Sequence, residues 1–485
     1  MSALLATLAA VLAWLGFAGV GIWPLAGVAF LPLFVALGRA GRAGGGRVFL
    51  VGLLFGAVLW GTTCSWLLGT LRSFSGLPLP ACLAISLLFV VAHGGLFACF
   101  GWLFWRAHQR GAPAALAAAA AIAACELVYP RLFPGYYGAS LHRLPIAIQI
   151  ADLGGPLALS ALCLAVNGAL YDLRNRRRAA AMAVCLVAVL AYGAVRMRQV
   201  EATLGGAPRL RIGIVQPNMA ALPKWKDLRE GERRLLAGTR ELEASARPDL
   251  IVWPENAWAA GVPLAPTRLP ESLRRAIHTP LLFGSWARAE DGRRTHNRVL
   301  LADEHGEVRG SYDKIELMAF GEYMPFASAS PWLRSLWPGS KRVEPGRSVE
   351  PLSFRGWRIS ALVCLEDILP GFVRRVVREG APHLLVNLTN DAWFGDSHEP
   401  RIHLALAKLR AVEQRRYLVR ATNNGVSAVV DPLGRVVAQS GSFTRETLDA
   451  EVAMLEGGTP YQMLGDWPGW LSIPVVLWLA FRQRR

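Results

Sequence analysis

Of the seven cysteines in this chain, Cys364 alone lies outside a long apolar segment. Cys64, Cys82, Cys99, Cys125, Cys163 and Cys185 fall in hydrophobic stretches of the first 200 residues, where a cysteine behaves as a small hydrophobe. Cys364 follows the strand-like run Trp357-Arg-Ile-Ser-Ala-Leu-Val and precedes Leu365-Glu366-Asp367. Its half of the chain holds no second cysteine, so a disulfide within that half is excluded. A thiolate attacks carbonyl carbon and leaves again readily, so a lone thiol supplied with a base and a cation is a candidate nucleophile. Two polar residues at other strand ends supply those types. Glu255 closes Ile251-Val-Trp-Pro-Glu, and Lys314 closes Ser311-Tyr-Asp-Lys. Gaps of 59 and 50 residues separate the three, so only tertiary structure can gather them. α/β folds do this by collecting groups at the carboxyl ends of strands in one crevice. Taken singly, each has a structural alternative: an inert buried thiol, an acid at a helix N-terminus after Pro254, and a solvated surface lysine.

The elements that would position them are short apolar runs alternating with amphipathic segments. Strands are expected at Leu210–Gln216, Asp249–Trp253, Leu281–Ser285, Arg298–Ala302, Ile359–Val363, His383–Leu388 and Val426–Val430. Helical periodicity marks 229–245, 268–277, 369–379 and 399–416. Nearly continuous apolar strands between helices indicate an α/β unit with a covered sheet, spanning residues 208–456. Turn sequences at Asp303-Glu-His-Gly and Asp431-Pro-Leu-Gly read as hairpins, which makes the sheet mixed.

The rest of the chain is of another kind. Hydrophobic residues make up 53% of the sequence, and they crowd into its first 200 positions. Runs near 2–19, 21–38, 48–70, 81–105, 112–129, 156–173 and 179–195 are each near the length needed to cross a bilayer as a helix, about 20 residues. Residues 1–200 thus read as a membrane domain of about seven spans. Residues 465–485 read as a last span, near 467–481, with a basic tail. The first run lacks a preceding basic residue and is followed at once by another, unlike a signal peptide.

The net charge of +17 is explained by topology. Residues 205–466 carry 35 basic and 31 acidic residues, a net +4. The excess sits in four clusters: Arg39, Arg42 and Arg47; Arg106 and Arg110; Arg174, Arg176, Arg177 and Arg178; Arg482, Arg484 and Arg485. If every run crosses once, all four fall on one side, which the positive-inside rule makes the cytoplasm. That places both ends inside and the polar α/β unit outside, and it removes the case for nucleic acid as a partner. Segment 130–155, rich in aromatic residues, proline and glycine, reads either as an interfacial segment or as an ordinary interhelical loop.

Trp253-Pro-Glu-Asn, Tyr312-Asp-Lys-Ile-Glu-Leu-Met-Ala-Phe-Gly-Glu-Tyr-Met-Pro and Val363-Cys-Leu-Glu resemble the glutamate, lysine and cysteine motifs of the nitrilase (carbon-nitrogen hydrolase) superfamily. More narrowly, they resemble the apolipoprotein N-acyltransferases of bacterial envelopes. Asn387-Leu-Thr-Asn-Asp-Ala-Trp-Phe-Gly-Asp-Ser, Arg410-Ala-Val-Glu and Arg420-Ala-Thr-Asn-Asn-Gly are characteristic of that branch, and the likeness covers essentially the whole chain. Two departures stand out: Leu365 where tyrosine is usual, and Met318-Ala319 where Val-Pro is common.

The resemblance implies a multi-span helical bundle joined to an αββα nitrilase-like sandwich in the bacterial inner membrane, with the sandwich on the periplasmic side. It also implies a Glu255–Lys314–Cys364 triad, a phospholipid acyl donor, an apolipoprotein acceptor and ping-pong transfer through a cysteine thioester. Glu322 is then placed to orient Lys314 or Glu255, Glu366 to order the loop behind Cys364, and Trp225 to contact an acyl chain at the site's mouth. For all three, fold-supporting contacts are the alternative. No cofactor or metal is implied: His296, His383, His398 and His403 show no ligand spacing with acids. Nothing requires more than a monomer. A membrane-tethered amidase or nitrilase with water as acceptor is the second reading. A transporter or scaffold is the third, opposed by the scarcity of charge within the spans, where Glu126 near a boundary is the exception.

Overall fold

Residues 1–206 are apolar nearly all round their helices, a composition suited to lipid, where a helix satisfies its own backbone hydrogen bonds. The structure, a computed structural model, describes residues 1–219, 225–289, 294–325 and 343–483. Among the described residues, five helical segments are long and apolar enough to cross a membrane: Trp23–Ala43, Gly45–Thr63, Leu79–Gln109, Ala151–Tyr171 and Arg176–Gly206. Ser2–Gly16, Ala114–Val128 and Trp467–Phe481 are shorter apolar helices of 15 residues each. Each of the eight expected runs therefore contains an apolar helix, but only five qualify by length, and several boundaries move. The run 48–70 breaks after Thr63, and Leu67–Phe74 forms a separate helix. Arg176–Gly206 does not stop near 195. It continues until Val200 and Leu204 enter the core of the polar half, so one continuous helix joins bundle and sandwich.

Thirteen strands follow among the described residues. They are β1 (Arg209–Gln216), β2 (Leu250–Val252), β3 (Trp258–Pro263), β4 (Leu281–Arg288), β5 (Thr295–Ala302), β6 (Val308–Asp313) and β7 (Leu352–Phe354). The remainder are β8 (Trp357–Val363), β9 (Leu384–Thr389), β10 (Tyr417–Thr422), β11 (Ala428–Val430), β12 (Val436–Gln439) and β13 (Glu446–Ala453). The strands form two sheets. One runs β13-β1-β2-β4-β5-β6 with β3 beside β4, the other β12-β11-β10-β9-β8-β7. Both mix parallel and antiparallel pairs, and both hairpins form, β5–β6 and β11–β12.

Period-two alternation explains the stacking. On β8, Ile359, Ala361 and Val363 point into the space between the sheets while Leu362 meets the helices outside. On β2, Leu250 and Val252 point in and Ile251 out. Helices Trp225–Ser245 and Glu271–Arg274 cover the first sheet, and Pro370–Gly380 and Glu399–Gln414 the second. The four layers are the expected αββα sandwich. Four strands escaped the pattern: β3, β7, β10 and β13. β10 begins just past the expected helix end at 416; the helix itself stops at Gln414, where Arg415 turns left-handed (φ 50°). β13 is an edge strand whose alternating acids mask it.

Helix Glu399–Gln414 is shared by the two halves. Ile402, Ala405, Leu406, Leu409 and Val412 pack into the membrane bundle's core, while Leu404, Ala407 and Ala411 pack beneath the second sheet. Polar clasps flank it. Arg415 Nη2 lies 2.6 Å from Asp152 Oδ2 and its Nη1 donates to Gln149 Oε1 at 2.7 Å. Asp152 also accepts from Arg196 and from the Tyr192 hydroxyl, and Lys408 donates to the His142 carbonyl. Segment 130–155 is more than a plain loop: it folds into the short helices Tyr137–Leu141 and Pro145–Ile148 and carries contacts on which the sandwich sits. At the bundle's far end, Arg110 and Arg482 donate to each other's carbonyls, and Asp172 accepts from Ala114 and Arg178. These contacts gather three of the four basic clusters at one end; Arg484 and Arg485 lie outside the described residues.

Asp152 holds two buried or half-buried guanidinium groups together. Asp152→Ala leaves Arg415 buried without its carboxylate and is expected to cost about 3–5 kcal/mol. Unfolding of the purified chain in detergent measures this, and an unchanged transition would contradict the clasp.

Candidate active site

Three loops at strand ends meet between the sheets. Glu255 follows β2, Lys314 follows β6, and Cys364 follows β8. The glutamate loop is pressed against β4: a Cβ on Gly284 would come 2.7 Å from the Glu255 Cα, so only glycine permits the approach. Lys314 Nζ lies 2.8 Å from Glu322 Oε2 and 3.8 Å from Glu255 Oε1. Asn297, on β5, ties the two acids together, its Nδ2 donating to Glu255 at 2.6 Å and to Glu322 at 2.9 Å. Cys364 adopts positive φ (54°), a conformation that costs a non-glycine residue on the order of 1–3 kcal/mol and clusters at functional sites. The carbonyl of Cys364 accepts from Asn387, and the Thr389 hydroxyl bonds to its thiol.

Glu366 fixes the cysteine turn to the lysine loop. Its fully buried carboxyl accepts from the Val363 amide beside the cysteine. It also accepts from the Tyr312 hydroxyl and the amides of Ile315 and Glu316 around the lysine. Burial raises its pKa to about 7 against the pull of those donors. Glu322 meets both openings left by the sequence, bonding Lys314 directly and Glu255 through Asn297. The side chain of Trp225 lies outside the described residues.

The electrostatics follow from burying one cation with two acids and a thiol. Burial pushes the Cys364 thiol up, Glu255 pushes it further, and Lys314 opposes both. Burial likewise raises Glu255, with Lys314 pulling down and Glu322 pushing up. Burial depresses Lys314, but Glu322, Cys364 and Glu255 outweigh it and hold the ammonium above its usual range. Glu322, although buried, is held low by Lys314. Lys314 and Glu322 therefore form the permanent ion pair. Glu255 is left as a strengthened base facing a protonated thiol, the arrangement general-base activation requires.

Behind the cysteine lies a second buried cluster. Arg420 bridges Asp367 (2.5 Å) and Asp391 (3.1 Å), and His403 donates between the same two acids at 2.9 and 3.1 Å. Glu399 Oε1 stands 3.7 Å from His403. Spacing alone showed no acid partners for His403; folding supplies three. Asp391, Glu399 and His403 are close enough together to suggest a metal site. However, both ring nitrogens are already engaged by carboxylates, and Arg420 supplies the positive charge the acids need. Burial opposes the charge on His403, but Asp367 and Asp391 raise it to about 10, and burial raises Glu399 to about 8. Two cations thus balance two carboxylates at neutral pH, and the donor set does not fit a metal. Asn297, Asn387 and Arg420 were missed as site residues. Their signal was a polar side chain within a strand of otherwise buried residues.

A family model described as carbon-nitrogen hydrolase matches residues 211–458, and another, the apolipoprotein N-acyltransferase N-terminal domain, matches residues 9–169. The chain is 32% identical to an apolipoprotein N-acyltransferase of Geobacter metallireducens, over 99% of this chain and 95% of that protein. It is also 32% identical to one of Azotobacter vinelandii, with the same coverage. Among solved structures, Saccharomyces cerevisiae Nit3, of branch 10 of the nitrilase superfamily, is 17% identical, with a TM-score of 0.38 over 57% of this chain and 97% of that one.

Glu255 can accept a proton only when ionised, so acylation of Cys364 should fail as pH falls through its raised pKa. The acid limb of single-turnover acylation is expected above the ordinary glutamate value of about 4.3. The raised Lys314 pKa keeps the alkaline limb above about 10.4. Glu255→Gln should slow acylation by about 10²–10⁴-fold and remove the acid limb. A limb that survives in that variant would assign the base elsewhere.

Proposed function

The chain belongs to the apolipoprotein N-acyltransferase family, and from that premise we propose how its own residues move an acyl chain from a membrane phospholipid to a lipoprotein. The observation that carries the reading is the gathering of Cys364, Lys314 and Glu255 in one buried site, in a sandwich fixed to a membrane bundle. The Cys364 sulfur attacks the ester carbonyl of the phospholipid, and its proton passes to Glu255. The tetrahedral oxyanion forms beside the Lys314 ammonium and a backbone N–H of the Cys364–Ile368 turn. The carbon–oxygen bond then breaks, Glu255 returns the proton to the departing alkoxide, lysophospholipid leaves, and a thioester remains on Cys364.

The α-amine of a diacylglyceryl-cysteine at the acceptor's N-terminus attacks that thioester and gives its proton to Glu255. The sulfur leaves as thiolate, stabilised by Lys314, and is protonated again. An amide replaces the thioester, and the triacylated lipoprotein departs. Amine must win over water in this step, which a pocket opened from the membrane side and closed to solvent provides. The apolar residues of the cysteine turn favour this: Leu365 and Ile368 pack with the bundle rather than facing solvent.

The gathered arginine clusters support a reading in which that end of the bundle is cytoplasmic by the positive-inside rule, with the sandwich on the periplasmic face of the inner membrane and both termini inside. All the groups used come from one chain, and the enzyme acts as a monomer.

Incubation of the reconstituted enzyme with phospholipid labelled in its acyl chains, and with a diacylglyceryl-cysteine peptide, tests the reading. Label should appear as an amide on the peptide; release as free fatty acid alone would favour the hydrolase. Lys314→Met should lower transfer by about 10²–10³-fold, the usual loss when one oxyanion donor is removed. Transfer within a few-fold of the unaltered chain would remove Lys314 from the mechanism.

A further inference from the structure

At the amino ends of the second sheet's strands, away from Cys364, lies a cleft of about 540 Å³ lined by Arg358, Arg378, Arg416, Glu456, Gln462 and Met463, among others. Three guanidinium groups face one carboxylate there, and the exposed Glu456 is already shared between His383 at 2.8 Å and Arg358 at 3.9 Å. Arg416 is the informative member. It is 3% exposed, yet it donates only to the neutral carbonyls of Pro382, Gln414, Arg415 and Gly457. Its neighbours Arg410, Arg415 and Arg420 each contact a carboxylate. Among the described residues Arg416 has no acid within 4 Å, and neither does Arg378. A buried charge left without a counter-ion is costly, so the cleft is built for an anion that a partner brings.

Its position says which anion. Helix Pro460–Leu464, whose Gln462 and Met463 line the cleft, lies two residues before the apolar helix Trp467–Phe481. Around that junction Met463, Leu464, Trp467 and Trp470 are 74%, 61%, 41% and 63% exposed, the apolar and aromatic rim found where a protein meets the headgroup layer. Arg374, one helical turn before Arg378, lies against Gly465 at the same junction. We infer that this cleft seats the phosphate of a bilayer phospholipid headgroup, with the lipid's apolar part lying along the exposed start of the last helix. It is not the acyl-donor site. Arg358 and Cys364 lie at opposite ends of β8, six residues apart at about 3.3 Å each, or roughly 20 Å. A free phosphate would satisfy the arginines but would gain nothing from the apolar rim. A headgroup seated there ties the open end of the sandwich to the bilayer surface, as helix Glu399–Gln414 ties its middle.

Counting lipids on the full chain tests this. The Cys364→Ala chain, which cannot form an acyl adduct, is purified in detergent, supplied with phosphatidylglycerol and weighed intact by native mass spectrometry. It should retain one more phosphatidylglycerol than the same chain carrying Arg358→Gln and Arg378→Glu. Arg378 is exposed, so Arg378→Glu alone gives a second reading of the same loss if the change on β8 disturbs folding. Equal retention by all three chains would overturn the site. Displacement of the extra lipid by inorganic phosphate would overturn the lipid in favour of a free-anion site.

Discussion

The structure turns on a single ammonium, that of Lys314, enclosed with two carboxylates and a thiol where water does not screen them. One cation cannot neutralise two acids. Glu322, at 2.8 Å, takes the ion pair, and Glu255, at 3.8 Å, remains the stronger base. Asn297 keeps that division from collapsing by holding one oxygen of each acid. Buried charges are tolerated only when geometry and hydrogen bonding are close to complete, and this explains the architecture around them. The lysine and the glutamates come from the first sheet and the cysteine from the second. Glu366, rooted beside the cysteine and bonded to the lysine loop, keeps the two in register.

The same economy governs the join to the membrane. Helix Glu399–Gln414 serves as an outer layer of the sandwich and as a core element of the bundle, so the two halves cannot shift without unpacking a shared helix. One end of that helix carries His403, whose ring holds the acids behind the cysteine; the other end leads to Arg415 and its clasp with Asp152. Gly425 belongs to this packing. A side chain there would overlap the Asp391 carboxylate, so Asn424-Gly425 lets β10 and the cysteine's support close on each other.

Much of this was legible in the residues. Glu255, Lys314 and Cys364 stood out because each ends a strand in a distinctive local sequence, and apolar runs are a strong signal for membrane helices. What stayed hidden depends on long-range contacts. Two stacked sheets and one mixed sheet have the same strand pattern, because strands covered on both faces are apolar throughout. β10 hid because the charged Arg420, buried by its acid partners, interrupts its apolar run. His403 looked isolated because Asp367 and Asp391 reach it only after three separate segments fold together. Helix Arg176–Gly206 ran past its expected end because Val200 and Leu204 in its last turns pack into the sandwich rather than into lipid.

The thioester decides the account. Exposure of the reconstituted enzyme to phospholipid without acceptor, followed by proteolysis and mass spectrometry, should find one fatty acyl group on the peptide carrying Cys364. Neutral hydroxylamine should release it, and added acceptor amine should discharge it. An acyl group on another residue, or full transfer with Cys364 never acylated, would contradict the mechanism at its root.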